Sequence, residues 1–317
     1  MALNRMLITG GCGFVGRELV RLAQEHHEVH VVDSLRSGER RVAGMDAQRF
    51  VLHRQDIREA KAVRQIMDHV RPNVIVHLAA VHFIPECEAS PDLAVSINVQ
   101  GTVNLLDSAP EGCAFVNVSS AAVYAPSDSA LDEEASTLGP CDVYGWTKLH
   151  GEHYARYYSE KRGLPTMIVR LFNVIGPGET NPHLAPEITR QIKSGASIIE
   201  LGNLTPKRDY IDVGDVADGL MRISQLIVGG SKVGCDVVNL GTGRAYSVME
   251  VTEQLCRASG RTVEIRSEAS RIRKVDRPLL LASTRKLQSL TGWTPKTTIE
   301  ESAARIWADP ELLGASC

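Results

Sequence analysis

Thr9-Gly10-Gly11-Cys12-Gly13-Phe14-Val15-Gly16 decides how this chain folds. Residues 3–8 precede it and read as a short buried strand, and residues 17–24 continue with helical patterning. Gly10, Gly13 and Gly16 recur every third residue, one spacing tighter than the common dinucleotide fingerprint. The physics is the same: without side chains, the backbone can approach a pyrophosphate at a helix N-terminus. Gly10, Gly13, Phe14, Val15 and Gly16 are therefore the candidate phosphate cradle. Residues 29–32 read as a second strand that ends on Asp33. A carboxylate there accepts hydrogen bonds from an adenosine ribose and repels a 2′-phosphate, which points to NAD over NADP. Arg36, a possible phosphate receptor, pulls the other way.

Working outward, strand-like runs fall at 3–8, 29–33, 50–54, 74–78, 114–119 and 166–170. Helix-like runs fall at 14–25, 59–70, 92–108 and 143–162. This alternation argues an α/β fold, a doubly wound parallel sheet. Ligands of such sheets bind beyond the carboxyl ends of the strands, so the loops after 54, 78, 119 and 170 should face one cleft. The second half is less regular, with helices at 186–194, 213–226 and 284–290 and a short strand at 263–266. Ser247 reads as an N-cap, with Glu250 completing a capping box. The most loop-like segments are 35–48, 126–140 and 176–186, and the acidic residues Asp128, Asp132, Glu133 and Glu134 read as a solvated lid.

Composition narrows the class. The chain has 317 residues, 43% hydrophobic and 23% charged, as an ordinary globular protein of one large or two smaller domains does. A net charge of −3 gives no sign of a nucleic-acid or anionic-membrane partner. No apolar run approaches the roughly 20 residues that span a bilayer, and the first residues lack the pattern of a signal peptide. The seven cysteines are scattered and lack metal-ligand spacing, so they read as reduced thiols of a cytoplasmic protein with no metal site.

Tyr144-Gly145-Trp146-Thr147-Lys148 carries the chemistry. A Tyr and a Lys four apart share one helix face, and the ammonium is expected to favour the phenolate. Ser120, upstream in Val118-Ser119-Ser120-Ala121-Ala122-Val123-Tyr124, supplies a hydroxyl to hold a substrate oxygen while the tyrosine moves its proton. The trio suits alcohol-to-ketone chemistry beside a hydride acceptor.

Over nearly its whole length the chain resembles the extended short-chain dehydrogenase/reductase family, the nucleotide-sugar epimerases, dehydratases and reductases. The likeness rests on the glycine motif, Asp56-Ile57, His77-Leu78-Ala79-Ala80, Asn98-Val99-Gln100-Gly101-Thr102, Ser120, Tyr144 and Lys148. It continues through Arg170-Leu171-Phe172-Asn173-Val174-Ile175-Gly176-Pro177-Gly178, Arg208-Asp209-Tyr210-Ile211 and Asn239-Leu240-Gly241-Thr242-Gly243. It implies a Rossmann-like NAD-binding domain over 1–172 and a smaller interleaved substrate lobe over 173–317, with segments at about 210–245 returning to the first. Asp56, Ile57, Leu78, Ala79, Ala80 and Asn98 then join the cofactor-binding residues, with Asp56 near the adenine or capping the next helix. Asn98 is expected to tie loops together beneath the active site. Lys148 and Tyr144 serve cofactor and catalysis alike. The helices at 92–108 and 143–162 resemble the pair that forms a four-helix homodimer interface in relatives.

Which reaction follows is read from differences. The family's 4,6-dehydratases carry acidic residues after the serine, where this chain has Ala121 and Ala122, which counts against that activity. The Ser-Ala-Ala-Val-Tyr pattern is similar to UDP-hexose 4-epimerases. Residues 198–204, Arg208-Asp209-Tyr210 and Arg273-Lys274-Val275-Asp276-Arg277-Pro278 instead resemble GDP-mannose 4,6-dehydratases and GDP-4-keto-6-deoxymannose reductases. That resemblance makes Arg208 and Arg273 nucleotide or diphosphate clamps and puts Asn173 near the substrate diphosphate. His82 stands where epimerases often have Lys, either contacting the substrate or forming a hydrogen-bonded wall. The leading expectation is an NAD-retaining nucleotide-sugar 4-epimerase, with a GDP-sugar favoured. A 4-ketosugar reductase and a non-catalytic NAD sensor are the rivals.

Overall fold

Met6, Leu7 and Ile8 are wholly buried in β1 (Asn4–Thr9), and β4 (Val74–His77) is buried at every position. Strands apolar on both faces belong to a parallel sheet covered by helices on each side. The structure, a computed structural model, describes residues 4–36, 49–179, 181–230, 234–271 and 277–309. Its central sheet has seven parallel strands in the order β3-β2-β1-β4-β5-β6-β10. The remaining members are β2 (His27–Asp33), β3 (Phe50–Arg54), β5 (Ala114–Ser120), β6 (Thr166–Leu171) and β10 (Cys235–Leu240). Strand order reverses between β1 and β4, which is where a doubly wound sheet opens its crevice.

One face of the sheet is covered by α1 (Phe14–Ala23) and α8 (Val213–Val228), through Leu19, Val20, Val216 and Leu220. The other face takes α2 (Ala60–Val70), α5 (Gly101–Ser108) and α6 (Val143–Arg162), through Val63, Met67, Leu105, Leu106 and Ala155. The helix expected over 92–108 forms without a break, as α4 (Pro91–Val95), a π-helical turn at Ser96–Gln100 and α5, a single-turn π-bulge inside one helical run. Ahead of it, α3 (Ile84–Ala89) begins with Pro85 in its first turn, a position where a missing N–H costs nothing.

The smaller lobe has its own core of Ile188, Ile192, Val251, Leu255 and Ile306. It is enclosed by α7 (Leu184–Lys193), α9 (Val248–Ser259) and α11 (Ile299–Trp307). Two small sheets complete it: β7 (Asn173–Ile175), β9 (Lys207–Asp212), β11 (Ala245–Ser247) and β13 (Leu279–Leu280), and the pair β8 (Ile198–Leu201) with β12 (Glu264–Ser267). The short α10 (Arg285–Thr291) lies near β10. The box at Ser247 and Glu250 forms in both directions, at 3.1 and 2.7 Å. Thr298 and Glu301 form a second one at the start of α11.

Segment 126–140 is a solvated lid only in part: Asp128 and Glu134 are exposed as expected, whereas Leu131 and Glu133 turn inward. Leu131 is 1% exposed; its N–H donates to the Leu281 carbonyl and its own carbonyl accepts from Ser283, both at 2.8 Å. Glu133 turns inward and accepts the Asn239 N–H at 2.7 Å. Buried backbone groups of β10 need partners, and this segment supplies them. Burial raises the Glu133 carboxyl above the usual range. Beneath it, Arg170 stacks on Tyr124, 4.7 Å from the ring centroid. The same guanidinium forks onto Glu152, at 2.8 and 3.0 Å.

Candidate active site

At the end of β1 the backbone turns through Gly10 with φ +71, and a Cβ there would stand 2.8 Å from the Ala79 backbone. A Cβ on Gly16 would lie 2.2 Å from the Gly10 oxygen, so α1 leaves the loop at a separation that glycine alone allows. Gly13 caps α1 without a side-chain hydrogen bond, leaving first-turn N–H groups for a ligand. These glycines, with Phe14 and Val15, form one end of a cleft of about 1290 Å³. That exceeds an ordinary single-ligand pocket of about 300–1,000 Å³ and is room for two extended ligands.

Asp33 lines the same end, its carboxylate accepting the N–H groups of Cys12 (3.0 Å) and Leu35 (2.8 Å). Carboxylate oxygens have further acceptor capacity for a ribose. Arg36 is paired with Glu86. Asp56 and Ile57 line the cleft, but Asp56 does not cap α2, whose N-cap is Glu59. Arg58 grips Asp56 at 2.7 Å and holds its carboxyl below the usual range. Cys12 is buried, its thiol pushed up to about 12 by desolvation and by Asp33, so it is no thiolate. Leu78, Ala79 and Ala80 form the facing wall. A glycine cradle, a free helix N-terminus and a pinned carboxylate together fit a dinucleotide.

Asp142 caps α6 by accepting the Gly145 N–H at 2.7 Å, which sets Tyr144 in the first turn and Lys148 one turn on. Gly145 lets the helix abut the turn after Ser120, because a Cβ there would be 2.6 Å from the Ala122 oxygen. Ser120 closes β5, and its Oγ accepts the Ala122 N–H at 3.1 Å. The Lys148 ammonium donates to the Val118 carbonyl at 2.9 Å. Ser120, Tyr144 and Lys148 thus meet on one wall of the cleft. Burial lowers Lys148 to about 8. Burial also raises the Tyr144 phenol above its ordinary value, against the pull of a hydrogen bond with Ser120. The phenolate expected from Lys148 therefore does not prevail at rest: desolvation wins, and the phenol keeps its proton.

Asn98 does not line the cleft. It accepts from the Val81 N–H (2.8 Å) and donates to the Val81 carbonyl and to Thr147, each at 2.9 Å. Buried there, it joins the Ala80 loop to α6 from beneath, as expected of a residue that ties loops together under the site. His77 is buried between Thr9 (2.7 Å) and Thr102 (2.8 Å), and desolvation lowers it to about 3, which keeps it neutral.

At the far end, His82 is exposed and Nε2 meets the Asn181 amide at 2.9 Å. Its ring packs edge-on to His183, 5.7 Å between centroids, and His183 pairs with buried Glu179. Asn173 opens β7 and faces the cleft, as does Arg208 on β9. Arg273 lies outside the described residues. Sequence reasoning missed Asn181, His183 and Arg277, which also line the cleft. Arg277 stood inside the quoted Arg273–Pro278 run. Asn181 and His183 stood in a stretch with no periodicity to mark them. Among the described residues no group of three or more His, Cys, Asp or Glu is placed to hold a metal, and no helix is long and apolar enough to cross a membrane.

A parallel sheet with a glycine-loop crevice and a Ser-Tyr-Lys wall defines the class of dinucleotide-binding short-chain enzymes. More narrowly, the model of the NAD dependent epimerase/dehydratase family matches residues 6–241, and the chain belongs to that family. It is 31% identical over 293 residues to a GDP-6-deoxy-D-talose 4-dehydrogenase of Aggregatibacter actinomycetemcomitans, covering 91% of each chain. It is also 31% identical to UDP-glucose 4-epimerase 2 of Oryza sativa subsp. japonica, over 96% of this chain and 81% of the relative. The solved UDP-glucose 4-epimerase of Thermus thermophilus, in complex with NAD, superposes with a TM-score of 0.84 at 27% identity, covering 98% of this chain and 99% of that one.

Proposed function

We propose that the protein is a nucleotide-sugar 4-epimerase acting by transient oxidation at carbon 4 of the hexose, with a GDP-sugar as its favoured substrate. The observation that carries the reading is the turn after Ser120. Ala121 and Ala122 stand there against α6, with no carboxylate for an elimination, beside an intact Ser120, Tyr144 and Lys148. NAD, when bound, supplies the hydride acceptor and donor. Ser120 donates a hydrogen bond to the 4-oxygen, and Tyr144 takes and returns its proton. The Ser120 hydroxyl and the Lys148 ammonium are the groups that favour the phenolate needed for oxidation, and Lys148 also binds the nicotinamide ribose. Asn173, Arg208 and Arg273 hold the nucleotide diphosphate, with His82 beside the sugar. The large exposed residues of α6, Trp146, Tyr154 and Tyr157, are the face through which a homodimer would form.

A 4-ketosugar reductase is the second reading, favoured by the likeness to the GDP-6-deoxy-D-talose 4-dehydrogenase. Both use the same three residues and differ in whether cofactor is retained. Freshly purified protein, denatured without added cofactor, is expected to release stoichiometric NAD and to interconvert an unmodified nucleotide-sugar. Protein that is empty, exchanges NAD(P)H freely and turns over 4-keto sugars alone would overturn the epimerase in favour of the reductase.

A further inference from the structure

We infer that Arg277 is a positioning residue, which ties the nucleotide end of the cleft to the Ser120 turn and holds that turn against the Tyr144 helix. The inference rests on the catalytic reading of Ser120 and Tyr144 above. Arg277 Nη1 donates to the Ala121 carbonyl at 3.2 Å, and Nη2 donates to the Ala122 carbonyl at 2.9 Å. One planar fork therefore fixes two successive peptides.

The first of these peptides matters most. The Ala121 carbonyl and the Ala122 N–H belong to the same rigid amide plane. That N–H is the one donating to Ser120 Oγ at 3.1 Å. Fixing the carbonyl fixes the N–H, and the N–H occupies a lone pair of the serine, leaving the hydroxyl hydrogen to be aimed elsewhere. The second carbonyl, of Ala122, is wedged between the guanidinium and the backbone of Gly145, the neighbour of Tyr144. Arg277 thereby sets the spacing between the serine and the tyrosine.

The other side of Arg277 is anchored in the substrate lobe. Its carbonyl accepts Arg208 Nη1 at 2.7 Å, and the next carbonyl, of Pro278, accepts the Lys207 N–H at 2.9 Å. A continuous chain of hydrogen bonds thus runs from β9, through Arg277, to Ser120. Lysine, a point charge, cannot reproduce it.

The test compares wild type, Arg277→Ala, Arg277→Lys and Tyr144→Phe on one nucleotide-sugar that the wild type turns over. Both Arg277 variants are expected to lower kcat about 10–100-fold with KM within about threefold, as for a misplaced catalytic group. Free guanidinium ion, at concentrations that leave the wild type unaffected, should restore part of the Arg277→Ala rate. A raised KM at unchanged kcat, unchanged kinetics, or a kcat loss without guanidinium rescue would each overturn the inference. Tyr144→Phe separates the two layers: full turnover in that variant sinks the catalytic reading itself. An inactive Tyr144→Phe beside a normal Arg277→Ala sinks the positioning role alone.

Discussion

The ammonium of Lys148 lies 5.9 Å from the centroid of the Tyr144 ring, one helical turn along the same face of α6. Removing the phenol hydroxyl by Tyr144→Phe is expected to lower kcat by about 10²–10⁴-fold, the usual contribution of a positioned acid or base. Steady-state kinetics at saturating nucleotide-sugar, with the melting temperature as a control for folding, checks it.

Lys148 has a stability consequence that can be read without substrate. Burial lowers it from 10.5 to about 8, so between those values the unfolded chain binds more protons than the folded one. Stability from this group therefore rises with pH across that window, and below it the buried ammonium opposes folding. Cofactor-free Lys148→Met should melt higher than wild type at about pH 7, with the advantage shrinking toward pH 10.5. Melting curves for both proteins across the range decide it; an advantage that grows with pH contradicts the assignment.

Glu152 and Arg170 are each 1% exposed, and Glu152 also accepts the Ser119 hydroxyl at 2.6 Å. Glu152→Gln leaves the guanidinium without its counter-charge, a change worth about 3–5 kcal/mol of stability. Urea denaturation at neutral pH would show the drop, and an unchanged midpoint would refute it.

Gly16→Ala brings a methyl group to 2.2 Å from the Gly10 oxygen, so the loop or α1 must shift. NAD affinity is expected to fall at least about tenfold, because the N–H groups of the helix no longer converge on the pyrophosphate. Equilibrium titration with NAD, read by tryptophan fluorescence or calorimetry, measures it.

Asp33→Ser removes the charge that repels a 2′-phosphate while keeping a hydrogen-bonding side chain. The preference for NAD over NADP is expected to narrow by about 10–100-fold, on the scale of a lost charge-assisted contact of about 1.5–3 kcal/mol. Parallel titrations with the two cofactors test it, and an unchanged ratio would remove Asp33 from the discrimination.

The central sheet was legible because its signals are local. Apolar runs such as Met6-Leu7-Ile8 and glycines at fixed spacing act within a few residues, and β3 and α6 begin and end where patterning put them. The π-helical turn around Asn98 was not legible, since it arises where the Asn98 amide meets Val81 and Thr147, residues far away in sequence. Segment 126–140 looked solvated by composition, yet its place is set by what β10 requires of it. The start of α11 was legible in Thr298 and Glu301 and went unread. At the candidate site, residue type and spacing singled out Ser120, Tyr144 and Lys148, which the fold brings to one cleft. Arg277 could not be singled out in the same way, because its partners are backbone carbonyls, which every residue has.

Strand β6 hydrogen-bonds β5 on one side and β10 on the other, and β10 arrives only at Cys235–Leu240, after the chain has passed through the smaller lobe. A ribosome that has released residues up to 172 has therefore produced a sheet with a raw border. The outer row of β6 amides, flanked by Ile168 and Val169, faces water until Leu240 emerges. An open apolar border of this kind pairs readily with another nascent chain. Slowed translation across the intervening residues, or a lack of chaperones while it lasts, is therefore expected to lower the yield of native protein in a heterologous host.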